Sequence, residues 1–164
     1  MDPTITTIPE KKVVGIGVQF ISILSPERNN HILIPQLWQN FSLRRSEILH
    51  RLNQVEIGLC EAIRDPATSN RNDECYYVVC VEVSSFDGIP EGMISRIVPE
   101  GRYAIFTHKG KLDKLENTMK YIYGEWLVQS GHKRRVDAPD LEIYDERFRG
   151  NNDESELDIY IPLE

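Results

Sequence analysis

The chain has 164 residues, of which 40% are hydrophobic and 27% charged, and its net charge is −7. This size and composition predict one domain with a hydrophobic core of its own. The negative charge argues against direct nucleic-acid binding, which needs a basic surface. The sequence begins without a secretory signal and has no apolar run long enough to cross a membrane. We therefore predict a cytoplasmic protein that makes no membrane contact.

The cysteines and histidines predict neither a metal site nor a disulfide framework. Cys60, Cys75 and Cys80 form no Cys-x-x-Cys pair, which fits a reducing cytoplasm with thiols that act as small buried hydrophobes. The four histidines are scattered without metal-ligand spacing. No glycine-rich phosphate loop is present either, so we predict no cofactor.

The first half of the chain predicts a strand, a helix and two further strands. Apolar residues alternate over residues 12–24, which indicates a strand, and recur with helical spacing over residues 32–53. Alternation resumes over residues 55–63 and 75–83. The polar residues 64–74 between these two strands predict a hairpin connection.

The second half predicts the same order of elements. Residues 85–101 are rich in glycine and proline and indicate a linker, with a short strand at 94–98. A strand at 102–108, an amphipathic helix at 111–129 and strands at 140–148 and 156–163 follow.

We therefore predict a single domain over residues 1–164, with a first β-α-β-β unit at 11–84 and a second at 102–164. The fold class is α+β: duplicated β-α-β-β units forming a pseudosymmetric antiparallel sheet assembly with a central ligand groove.

The alternation of residues 140–148 raises the question of function. We expect the helix to cover the face that carries Leu141 and Ile143, which leaves Glu142 on the open face of the sheet. A carboxylate among aromatic rings suits a cationic or polarised organic molecule, whereas an ordinary solvated strand face is the alternative. By the same argument the open face carries Glu142, Tyr144, Asp158 and Tyr160 in the second half, and Tyr76, Cys80 and Glu82 in the first.

An ordered series of motifs resembles the GyrI-like small-molecule (effector) binding domain family. The motifs are IPQLW at 34–38, RYAIFTHKG at 102–110, GEWL at 124–127, PDLEIY at 139–144 and DIYIP at 158–162. This bacterial module occurs alone or attached to the DNA-binding domains of AraC-type and MerR-type multidrug regulators. About ten residues precede the first predicted strand, so we expect no helix-turn-helix here, and any role in transcription regulation would act through a separate regulator.

The resemblance also implies a site. In the family, a strand glutamate in the groove engages lipophilic, often cationic ligands among aromatic side chains, and Glu142 matches that glutamate. Tyr144, Tyr160 and Trp126 match flanking aromatic positions. Position in the predicted sheet adds Glu82, Tyr76 and Tyr103 as candidates, whereas Trp38 and Phe41 lie on a helical stripe and favour core packing.

Three functions are compatible with this reading. The first is a stand-alone module that senses or sequesters lipophilic, cationic compounds. The second is a hydrolase of strained, cyclopropane-type electrophiles with Glu142 as the general base, since partial burial would raise its pKa. The third is a protein-interaction role, such as binding to DNA gyrase. The resemblance implies all three and does not choose among them.

Overall fold

A computed structural model describes residues 1–63 and 67–164, so residues 64–66 of the predicted hairpin connection lie outside the described residues. Within these ranges eight strands form one antiparallel sheet, in the order β1-β6-β8-β7-β3-β4-β2-β5. The strands are β1 (Thr4–Ile8), β2 (Lys11–Ile21), β3 (Arg51–Ala62), β4 (Glu74–Val83), β5 (Ile94–Val98), β6 (Gly101–Lys109), β7 (Asp140–Tyr144) and β8 (Glu156–Leu163).

The helices are α1 (Asn30–Arg44), α2 (Leu115–Tyr121) and α3 (Leu127–Gln129). A π-helical turn, Ile122–Trp126, joins α2 to α3, and these three segments are called the second helix below. Short 3-10 turns lie at Arg45–Glu47 and Leu112–Lys114. None of the helices in the described ranges combines the length and the apolar character needed to cross a membrane. The predicted α+β class with an antiparallel sheet is confirmed.

Three element predictions were wrong, the simplest being the strand at 140–148, which ends at Tyr144. Strand β1 was not predicted, although its sequence, TITTI, consists of β-branched residues and pairs along β6. The predicted helix at 32–53 ends early, because α1 stops at Arg44 and β3 begins at Arg51. His50, with a φ of 60°, takes the left-handed conformation at this reversal.

The strand order is the same in both halves when it is followed outward from the centre. The first half contributes β3, β4 and β2, and the second contributes β7, β8 and β6, with β3 and β7 adjacent. The edge strands cross over between the halves. Strand β1, from the start of the chain, pairs with β6 of the second half, and β5, from the segment between the halves, pairs with β2 of the first half. A duplicated unit would give this order, and the duplication itself stays a prediction.

Both helices cover the same face of the sheet. Leu37 and Phe41 of α1 pack on β2 and β4, and Ile122 of the second helix packs on Phe106 and Ile159 of β6 and β8. The central strands β3 and β7 therefore form the floor of a gap between the helices.

The opposite face is also buried. Its core includes Leu59, Tyr103 and Leu141, together with Ile8 and Val98 from the two edge strands. Because residues of both edges join one cluster, the sheet curls around this face.

The predicted open face was wrong for Glu142 and Tyr144. The other residues predicted for it do lie on the face away from the helices, namely Asp158, Tyr160, Tyr76, Cys80 and Glu82. Glu142 pairs with Ile159, and Leu141 pairs with Tyr160, and residues directly opposite each other share a face. Glu142 therefore lies on the helix-bearing face, and Tyr160 lies on the other. The alternation within each strand was predicted correctly, but the register between two strands cannot be read from either strand alone, and a shift of one residue exchanges the faces.

Candidate functional site

A cavity of about 1210 Å³ lies in the gap between α1 and the second helix. This volume is sufficient for a drug-sized organic molecule. Glu142 lies on its floor, and the wall is largely apolar and aromatic. The apolar wall includes Phe20, Ile34, Trp38, Leu115, Met119, Tyr123, Tyr144 and Phe148.

Glu142 is half-buried on this floor and accepts two hydrogen bonds on the same oxygen. Tyr77 Oη donates to Glu142 Oε2 at 2.5 Å, and Tyr144 Oη donates to it at 2.9 Å. Burial raises the pKa of Glu142 above its ordinary value, although the two tyrosine hydroxyls act in the opposite direction. Burial and the nearby carboxylate raise the pKa of both tyrosines, so both remain protonated donors.

The other carboxylates deep in the cavity are each paired with an arginine. Arg134 Nη2 lies 2.7 Å from Asp140 Oδ1, and Tyr123 donates to the second oxygen of Asp140. Burial raises the pKa of Asp140, and Arg134 opposes that rise. Glu56 is paired with Arg45 at 2.7 Å. In each pair the positive charge of the arginine compensates the negative charge of the carboxylate.

Glu142 differs from them. In the described part of the chain, no lysine or arginine forms an ion pair with its carboxylate. Among the described residues, the cavity also has Asp73, paired with Arg71 at 2.8 Å, and Asp113, which is exposed. Within the same described ranges, Glu142 is therefore the half-buried cavity carboxylate without a cationic partner.

Aromatic rings stand beside this carboxylate. The ring centroid of Tyr144 lies 4.6 Å from that of Trp38 and 4.8 Å from that of Phe148. Trp38 was assigned to core packing from its helical spacing, but it lines the cavity, whereas Phe41 is fully buried.

Gly58 makes the contact between Tyr77 and Glu142 possible. It lies on β3 opposite Glu142 on one side and Val79 on the other. A Cβ atom at this position would stand 1.9 Å from Tyr77 Oη and 2.8 Å from Glu142 Oε2. Only glycine leaves space for both groups.

We expect Gly58→Ala to lower the free energy of unfolding by about 1–3 kcal/mol, because the tyrosine ring must leave the carboxylate to make room for the methyl group. Urea denaturation measures this change. Gly124→Ala is the matched control, since a Cβ there meets nothing within 4 Å and alanine suits a helix better than glycine. Equal stability of Gly58→Ala and the wild type would contradict the role assigned to Gly58.

Of the predicted site residues, Glu142 and Tyr144 meet in the cavity. Tyr160 lies on the opposite face, where its ring centroid is 6.3 Å from that of the fully buried Tyr103. Trp126 packs on Phe106 at 5.1 Å between centroids, outside the cavity lining.

Tyr76 and Glu82, the two candidates from the first half, also lie on the opposite face, because both belong to β4 and alternate with Tyr77. Glu82 accepts a hydrogen bond from Lys11 at 2.9 Å. The guanidinium carbon of Arg96 lies 5.7 Å from the centroid of the Tyr76 ring.

Sequence reasoning missed several cavity residues. Asp140 precedes Glu142 by two positions on an alternating strand, so the sequence carried a signal that could have placed it on the same face. Tyr77, Tyr123 and Arg134 carried no comparable signal, because their contacts depend on strand register and helix placement.

Comparison with known proteins agrees with this architecture. The chain is 36% identical over 132 residues to the transcriptional regulator BrlR of Pseudomonas aeruginosa. The aligned region covers 79% of this chain and 46% of BrlR, so the chain spans about half the length of that regulator.

Two solved structures share the fold. SAV2435 bound to tetraphenylphosphonium has a TM-score of 0.77 and 16% identity, covering 100% of this chain and 94% of SAV2435. EcmrR in its complex with DNA has a TM-score of 0.68 and 18% identity, covering 99% of this chain and 57% of EcmrR. The family of the GyrI-like small molecule binding domain matches residues 1–164. The chain therefore belongs to the GyrI-like family of small-molecule-binding domains.

Proposed function

We propose that this domain senses or sequesters lipophilic organic cations, which it binds in the cavity with Glu142 as the countercharge. One observation carries the proposal: Glu142 is half-buried, is held by two tyrosine hydroxyls and forms no ion pair with a cationic side chain among the described residues. A cationic ligand would supply the missing charge.

The physical reason is desolvation. Removing a carboxylate from water without a countercharge is unfavourable, and a bound cation relieves that cost. The rings of Trp38, Tyr144 and Phe148 can present their faces to a large, weakly hydrated cation, and such contacts contribute about 0.5–2 kcal/mol each. Arg134 compensates Asp140, so the countercharge is concentrated at Glu142.

SAV2435, whose fold is similar, has been solved with tetraphenylphosphonium bound. This ion is lipophilic, aromatic and singly charged, and the cavity of about 1210 Å³ in this chain is large enough to enclose it. It is therefore a suitable probe for the proposal.

Isothermal titration calorimetry with tetraphenylphosphonium tests the proposal, with triphenylphosphine oxide as a neutral ligand of related shape. We expect one cation to bind per chain, at least about tenfold more tightly than the neutral compound. Equal affinities would show that shape alone determines binding and would refute the role of charge.

We also expect the affinity for the cation to fall as the pH is lowered through the raised pKa of Glu142. The bound cation favours the carboxylate, so binding to the protonated form must release a proton. Below that pKa the affinity should fall by about tenfold per pH unit, and the fall should begin above the range of an ordinary glutamate. Titration in buffers of different ionisation enthalpy measures the released proton. A flat profile that extends through the carboxyl range would contradict the assignment.

A second candidate function is hydrolysis of a strained electrophile, with Glu142 as the general base. The specific observation in its favour is that burial raises the pKa of this carboxylate, as proton abstraction near neutral pH requires. Incubation with a cyclopropane-containing electrophile, followed by mass spectrometry, separates the two functions. Product that disappears in Glu142→Gln supports hydrolysis, whereas a ligand recovered unchanged supports binding alone.

A further inference from the structure

Two of the three cysteines lie in the wall of the ligand cavity. Cys60 of β3 and Cys75 of β4 both line it, whereas Cys80 is buried on the other face of the sheet. Cys60 lies opposite Asp140 in the sheet, and Cys75 lies opposite Ala62. The prediction that all three thiols act as small buried hydrophobes holds fully for Cys80, whereas Cys60 and Cys75 are half-buried and pack against the core from the cavity wall.

The two cavity thiols are neighbours on one face of the sheet. Cys60 pairs with Tyr77 across the sheet, so Cys75, two residues from Tyr77, is its diagonal neighbour on the same face. The neighbouring Cys60 thiol lowers the pKa of Cys75, and the charge of Arg134 acts in the same direction, whereas burial and Asp140 oppose them. The neighbouring Cys75 and burial raise the pKa of Cys60. Cys75 is therefore the better nucleophile of the pair.

This spacing suits a bridge through one atom. Diagonal neighbours in an antiparallel pair have Cα atoms roughly 7–8 Å apart, whereas a disulfide needs about 4.4–6.8 Å. In the described part of the chain no group of three or more His, Cys, Asp and Glu side chains is arranged to hold a metal ion. An electrophilic centre that takes two thiolates and carries its own organic group matches both facts.

We propose that Cys60 and Cys75 form a dithiol site that captures trivalent organoarsenicals entering the ligand cavity. The apolar wall would hold the organic group, and the two sulfurs would bond the arsenic. This site goes beyond the binding of cations, because it needs neither a charged ligand nor Glu142.

The reaction balances without an oxidant or a reductant. The Cys75 thiolate attacks the arsenic of R–As=O, and the oxygen takes up a proton. The Cys60 sulfur then forms the second As–S bond, and the oxygen leaves as water. The net change is R–As=O plus two thiols giving R–As(S-Cys)₂ plus water, with arsenic remaining trivalent.

Intact-protein mass spectrometry with phenylarsine oxide tests the site. We expect one adduct per native chain, with a mass gain of C₆H₅As less two hydrogen atoms. This adduct should persist in excess 2-mercaptoethanol and be reversed by 2,3-dimercaptopropanol, since only a second dithiol competes with a bridged arsenic.

Matched variants locate the bridge. Cys60→Ser and Cys75→Ser should each abolish the adduct that resists the monothiol, and Cys80→Ser, on the opposite face, should keep it. Cys60→Ala and Cys75→Ala should give the same result, and circular dichroism checks that each variant is folded. A resistant adduct in a folded Cys60 or Cys75 variant, or its absence in the wild type, would overturn the proposal. Glu142→Gln should keep the adduct, so failure of the cation site would not affect this test.

Discussion

Glu142→Gln is expected to weaken the binding of tetraphenylphosphonium by roughly 30- to 150-fold, or about 2–3 kcal/mol. The substitution removes the charge and keeps the shape of the side chain. Its amide oxygen can still accept the hydrogen bonds of Tyr77 and Tyr144, so the cavity should keep its form. Calorimetric titration of both proteins under the same conditions measures the loss.

Glu82→Gln is the matched control for this result. Glu82 lies on the opposite face of the sheet in a pair with Lys11, so its neutralisation should leave cation affinity within about threefold of the wild type. The affinity of Glu142→Gln for the neutral triphenylphosphine oxide should also be unchanged. If both glutamine variants lost the same cation affinity, the overall negative charge of the protein would be what attracts the ligand. The assignment of Glu142 to the binding site would then be wrong.

The same substitution has a stability signature of definite sign. The pKa of Glu142 is raised in the folded protein, so the stabilisation linked to its protonation is complete below the unfolded pKa and is lost as the pH rises through the folded pKa. Glutamine cannot lose a proton and escapes this loss. At neutral pH the variant should therefore be at least as stable as the wild type, with the advantage disappearing in acid. If Glu142→Gln were less stable than the wild type at neutral pH, misfolding rather than the lost charge would explain its lower affinity.

The sequence led to Glu142 by a route that was partly mistaken. Alternation along one strand places Glu142 and Leu141 on opposite faces, and the family resemblance identifies Glu142 as the ligand-binding glutamate. Both inferences need only the local sequence. The predicted open face required a register between β7 and β8, and this register differs by one residue from the prediction. The Glu142 carboxylate lies on the helix-bearing face of the sheet, in the gap between the two helices. This gap exists because the helices cover the outer strands and leave the central strands uncovered.

The partners of Glu142 were beyond local pattern for the same reason. Tyr77 belongs to a strand whose apolar alternation predicted only core packing. Its hydroxyl reaches Glu142 across β3 because the intervening residue, Gly58, has no side chain to block it. Trp38 was assigned to the core because helical spacing shows which side of a helix faces inward, but not whether that side meets protein or a cavity. Contacts across three elements require the fold itself.

Arg134→Met is expected to have the largest effect on stability, a loss of about 3–5 kcal/mol. Arg134 holds Asp140 Oδ1 with Nε at 2.9 Å and Nη2 at 2.7 Å, and both side chains are largely buried. Methionine fills much of the same volume and leaves the buried carboxylate with Tyr123 alone. Urea denaturation near neutral pH measures the loss.

The next residue provides the control. Arg135 forms a surface pair with Asp137, so Arg135→Met should cost less than about 1 kcal/mol. Asp140→Asn added to Arg134→Met should recover a large part of the stability, because it removes the unpaired charge. Similar losses in the two arginine variants would show that the Arg134 pair is no more important than an ordinary surface contact.

The dependence of this loss on pH distinguishes charge from packing. Burial already raises the pKa of Asp140, and removal of Arg134 takes away the interaction that opposes the rise. In the variant, stability linked to protonated Asp140 is present at low pH and lost as the pH rises through the folded pKa. The difference from the wild type should therefore shrink as the pH is lowered, whereas a packing defect would persist at every pH. The same measurement tests whether the cavity concentrates its negative charge at Glu142, because an uncompensated Asp140 would supply a second carboxylate beside it and strengthen cation binding in the folded variant.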